Sequence, residues 1–168
     1  MGCDIHCYVE YKPPNYDTWI SFGGRINPGR NYAIFTKMAG VRNYSDIIIP
    51  IDKPRGLPEN AAWNSNSDNI LYVSDSDEDD CVKPNKAKQW VENGFSKYIY
   101  SEGKPTWVTH PDWHSHSWLT TDEFRTVLSS FDVSIYLQNE YEWWAILAIL
   151  ESFERRGCEA RLVFWFDN

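Results

Sequence analysis

The chain has 168 residues and a net charge of −8, with 42% hydrophobic and 16% aromatic residues. That length suits one domain with a real core. The acidic balance excludes a general nucleic-acid binder, which needs a phosphate-neutralising surface, and the longest apolar run, Trp143 to Leu150, is too short to span a bilayer.

The opening MGCDIHCYVEYK alternates with period two. Ile5, Cys7, Val9 and Tyr11 fall on one face; Asp4, His6, Tyr8, Glu10 and Lys12 fall on the other. The first face suits a core, and the second is either solvated or the floor of a site. Asp17 to Phe22 reads as a second strand, joined to the first through Pro13 and Pro14 as a hairpin. After the Gly/Pro-rich GGRINPGR, Asn31 is placed to cap a short helix that Gly40 stops.

Residues 59–110 read as a variable insertion or surface excursion within a single 1–168 domain. Its acidic run Asp75 to Asp80 lacks the glycine and glutamate spacing of a calcium loop and reads as solvated. Lys83 to Gly94 suits a short helix, and Lys97 to Tyr100 a short strand. Further on, Thr120 and Glu123 form a T-x-x-E capping box that opens a helix burying Phe124, Val127, Leu128 and Phe131. A longer helix is expected from about Gln138 to Arg156, presenting Tyr141, Trp144, Ala145, Ala148 and Phe153, with Gly157 ending it. The closing RLVFWFDN is almost wholly apolar, as a central strand would be. The fold class is α+β, or α/β with a mixed sheet, with both terminal strands in one sheet.

Cys3, Cys7, Cys81 and Cys158 match no zinc spacing and contain no C-x-x-C, so they read as reduced thiols. The polar start does not resemble a signal peptide, and His6 stands where a myristoylation motif has Ser or Thr. A cytoplasmic location is expected.

Three polar constellations carry the candidate chemistry. One is the Asp4, His6, Glu10 face. A second is Asp112, His114 and His116, whose two imidazoles would share a face on an unbroken strand. The third is Arg25, Arg30, Arg42 and Arg55, all in Gly/Pro-rich loops suited to bidentate capture of phosphate or carboxylate. Each also has a plain structural reading as hydrogen-bonded strand, turn or capping residues. His110, before Pro111, reads as a loop residue without a role.

Several stretches carry a resemblance: MGCDIHCYVE, GRNYAIF from Gly29, VRN from Val41, RGLP from Arg55, HSHSWLTTDEF from His114, and the RLVFWFDN ending. Together they resemble a family of small proteins encoded by bacteriophages and bacterial genomes. The resemblance reaches both termini and implies positions rather than a reaction: Asp4, His6, Arg30, Asn31, Arg55, His114, His116, Trp118 and Asp167. A phage-encoded member would work in the host cytoplasm.

Two functions follow as expectations. In the first, Arg30 and Arg55 hold the phosphate of a small anionic, nucleotide-like ligand. Trp118 or another ring stacks on its base, and Asp4, His114 and His116 read polar edges. Such a protein would sequester a host immune signal. In the alternative, Asp4, His6, His114 and His116 bind a divalent metal, or the histidines act as acid and base, to hydrolyse a phosphoester. The first requires no cofactor. Its partners are the ligand alone, with no general nucleic acid and no membrane, and a homo-oligomer is compatible with the aromatic excess.

Overall fold

The computed structural model describes residues 2–44, 46–79, 81–131 and 140–168, and within them the fold is α+β. Strands β1 (Ile5–Lys12), β2 (Ile20–Ser21), β7 (Trp113–Thr120) and β8 (Glu159–Asp167) form an antiparallel sheet in the order β2-β1-β8-β7. Both terminal strands thus lie in one sheet. The apolar β8 is central, paired on both edges by β1 and β7, and Ala160 to Phe166 are all buried.

One face of this sheet is closed by three helices: α1 (Tyr32–Ala39), α4 (Thr121–Ser129) and α5 (Tyr141–Glu154). Cys3, Ile5, Cys7 and Val9 meet Leu162, Phe164 and Phe166 there, under Ile34, Phe35, Phe124 and Trp143. Asn31 caps α1 by accepting from the Ile34 N–H, and Gly40, at φ 73°, ends it in the left-handed conformation that glycine adopts without strain. Both arms of the Thr120–Glu123 capping box are present at α4.

α5 buries a different stripe from the expected one: Trp143, Ile146, Leu147 and Leu150. Its sequence is apolar nearly all round, so periodicity discriminates poorly, and the bulkier residues take the core. Tyr141 is exposed instead, while Phe153 stacks on Tyr11 at 4.0 Å. The expected start at Gln138 lies outside the described residues.

The expected excursion carries structure of its own. α2 (Trp63–Ser67) leads into β3 (Ile70–Val73), β4 (Cys81–Val82), α3 (Pro84–Glu92), β5 (Tyr98–Ser101) and β6 (Lys104–Thr109). The strands form a second sheet, ordered β4-β3-β6-β5, with β3 and β4 parallel. α3 packs on it over a small core of Val82, Ala87 and Val108. Asp75, Asp77, Glu78 and Asp79 are exposed between β3 and β4, and Lys83 pairs with Asp77 at 2.6 Å. Among the described residues no helix is long and apolar enough to cross a membrane.

Candidate functional site

The polar face of β1 is neither solvated nor an open floor, because nearly every side chain on it has a partner. Glu10 is fully buried. It accepts from Arg161 Nε at 2.8 Å, from Ser65 Oγ at 2.5 Å and from the Ala62 N–H at 2.9 Å. Arg161 also donates to Asn60 and lies 3.8 Å from the Trp19 ring centroid. The buried charges are therefore hydrogen-bonded as well as paired, which burial demands. Tyr8 donates to Asp68 at 2.6 Å. Burial, reinforced by that carboxylate, pushes the Tyr8 phenol above its ordinary range.

His6 is 8% exposed, lies under Trp113, and meets Asp167 through Nε2 at 2.8 Å. Its Nδ1 faces the Asn27 amide at 3.2 Å. Asp167 also accepts from the Asp4 N–H at 3.1 Å, which ties the two chain ends together. Asp4 itself is gripped by Arg30 through two bonds, and that guanidinium holds its carboxyl below the usual range.

The structure does not bring His6, His114 and His116 to one place. Ser115 sits at φ 53° in a β-bulge, and the ladder steps from the His114–Phe166 pair to the Ser117–Phe164 pair across it. Two residues of β7 thus stand opposite one of β8, and alternation breaks. His114 stacks on Phe166, on the helix-covered face. His116 stacks on Trp165, on the opposite face, where His6 also lies. The expected Asp4, His6, His114, His116 tetrad is therefore divided by the sheet. Among the described residues no three His, Cys, Asp or Glu side chains are grouped to hold a metal ion.

The two arginines expected to hold a phosphate are both paired with carboxylates in this structure. Arg55 donates to Glu123 at 2.6 and 2.9 Å, to Asp52 at 3.0 Å and to the Trp118 carbonyl at 3.1 Å, and it lies over the Trp118 ring. Arg30 is committed to Asp4. Neither is poised as an anion clamp. Asn31 is a helix cap that also donates to Glu140, and Trp118 supports Arg55.

What the fold does build is a cleft of about 340 Å³ where the second sheet meets the first. His116, Trp113, Asn69, His110, Phe95 and Lys97 are among the residues that line it. His110 stacks on Trp113 at 4.3 Å and 15°. Its role was hidden in the sequence because the partner ring is three residues away across a proline turn. Asn69 orients His116. Its Nδ2 donates to the Ser65 carbonyl at 2.6 Å, so its Oδ1 faces His116 and takes a proton from Nε2. Nδ1 is then the acceptor nitrogen. Burial pulls His116 down to about 4 and moves His110 the same way, so both rings are neutral at pH 7.

Positive charge at this cleft comes from the exposed Lys97; Arg25, paired with Asp68 at 3.5 Å, lies 5.6 Å from the Trp113 centroid without lining the cleft. No protein-family model, curated protein or solved structure matches the chain.

Proposed function

We propose that this cleft binds a small, planar, anionic ligand of nucleotide type and holds it without turnover. The observation that carries the reading is the pair of neutral imidazoles set against tryptophan rings. They can stack on a heterocycle and hydrogen-bond its edge. Burial disfavours the protonated form that general acid catalysis near neutrality requires. The volume falls in the range of small-ligand sites, and the exposed Lys97 on its lining suits a phosphate better than the paired Arg30 and Arg55 do. In a chain resembling phage-encoded proteins, such binding would withdraw a nucleotide signal of host immunity from solution.

Titration calorimetry with adenosine and guanosine monophosphates tests this. Saturable binding is expected, with the nucleotide recovered intact. Phe95 is 63% exposed, so Phe95→Ala should leave the melting temperature unchanged and weaken binding about tenfold, the scale of one lost stacking contact. Absence of saturable binding by either nucleotide would overturn the reading.

A hydrolase remains the second reading because Asp167 orients His6 as a carboxylate orients a general base. His6 lines a separate cleft of about 280 Å³ with Asp4, Asn27 and Gly29, where its Nδ1 faces Asn27 at 3.2 Å. Phosphate release in the same calorimetry samples would favour it.

A further inference from the structure

A second cleft of about 530 Å³ adjoins the first, and Phe95 lines both. Its walls include Trp90 and Gln89 from α3, with Asp112 and His114 from the first sheet's side. The bulge at Ser115 is what divides the two imidazoles: His116 lines the first cleft, and His114, turned to the other face of β7, lines the second. β7 is an edge strand of its sheet, so the clefts flank that edge with the exposed Phe95 between them.

Each cleft therefore has a tryptophan wall and an imidazole, and they share one exposed ring. His114 meets Ser115 Oγ through Nδ1 at 2.9 Å, and its Nε2 is buried. Lys86 lies over the Trp90 ring at 5.1 Å, so a cation stands near the second cleft as Lys97 does near the first.

Resting on the reading that the first cleft binds a nucleotide, we infer that the two clefts take one ligand with two bases, a dinucleotide whose linking phosphate passes Phe95. A non-glycine residue held at positive φ in a strand is a feature that persists where the surrounding structure requires it. Here it sets one imidazole ring beside each cleft. Joining two weakly held bases makes the second contact intramolecular, so affinity rises without a new kind of interaction.

The test compares adenosine monophosphate with the linear dinucleotide adenylyl-adenosine carrying a terminal phosphate, by calorimetry on the full chain. The dinucleotide should bind about 100-fold more tightly than the mononucleotide, at a stoichiometry of one. Gln89 is exposed on α3 and lines only the second cleft, so Gln89→Trp fills that cleft at little risk to the fold. It should reduce dinucleotide affinity to the mononucleotide level and leave mononucleotide binding unchanged. Equal affinity of the two probes for the wild-type chain would overturn the two-base inference while the single-cleft reading stands. Failure of both probes to bind would overturn both. His114→Ala provides a second check: a loss confined to the dinucleotide supports the inference, and an equal loss for both probes refutes it.

Discussion

Arg55 illustrates how a loop arginine is spent when carboxylates are close. It bridges Asp52, the capping-box Glu123 and the Trp118 carbonyl, so it fastens the 52–58 loop to the start of α4. Arg55→Ala should cost about 2–3 kcal/mol, the scale of charged hydrogen bonds lost together with an unpaired carboxylate. Melting temperature should fall while mononucleotide affinity is unchanged; the reverse pattern would restore Arg55 to a binding role. Glu10 is the more demanding case, being wholly buried against Arg161, Ser65 and the Ala62 N–H. Glu10→Ala leaves a guanidinium buried without its counter-charge and should cost about 3–5 kcal/mol in chemical denaturation. A cost under about 1 kcal/mol would mean that Arg161 finds another partner.

At the scale of elements, local signals and tertiary ones separate cleanly. Asn31 and Gly40 mark α1, and Thr120 with Glu123 marks α4, because a cap is a short-range hydrogen bond between residues near in sequence. β8 is legible because burial on both faces leaves no room for polar alternation. The partners of Glu10 and Tyr8 are not legible, since Ser65 and Asp68 arrive from more than fifty residues away. The bulge in β7 was hidden for another reason. Bulges of positive φ are usually flagged by Gly or Asn, and here the position holds Ser115. That single residue reverses the reading of His114 and His116 as neighbours. Substitution tests it directly. Ser115→Val puts a β-branched side chain at φ 53° and should lower stability by about 1–3 kcal/mol, whereas Ser115→Gly should be tolerated. Equal melting temperatures for the two variants would show that the strand relaxes to a regular ladder.

The whole molecule is two sheets joined through polar side chains, and that joint contains the histidines that titrate low. His116 is held neutral by burial, with its Nε2 proton on Asn69 and with His114 opposing its protonation. His110 is likewise lowered by burial. Asp112 and Asp167 favour its charged form, and His6 and Arg25 oppose it. For His116 the unfolded chain binds a proton at its ordinary 6.5 and the folded chain only near 4. Between those values the unfolded state carries more protons, so stability falls as pH falls, and the contribution is complete above 6.5. Because the strained groups sit between the sheets, the loss should be felt first by the second sheet. Its own core is small, and the first sheet is backed by three helices. Amide exchange from pH 7 to pH 4, corrected for intrinsic rates, should show β3 and β6 losing protection before β1 and β8. His116→Gln keeps a donor for Asn69 without a titrating ring, and should reduce the loss of melting temperature over that window. If β1 and β8 lose protection together with β3 and β6, the two sheets unfold as one unit and the joint is no weaker than either core. If His116→Gln leaves the response between pH 7 and pH 4 unaltered, His116 does not carry it; Asp4, Asp52 and Glu123, all held low by arginine partners, release their stabilisation only as they protonate below about pH 4, outside that window.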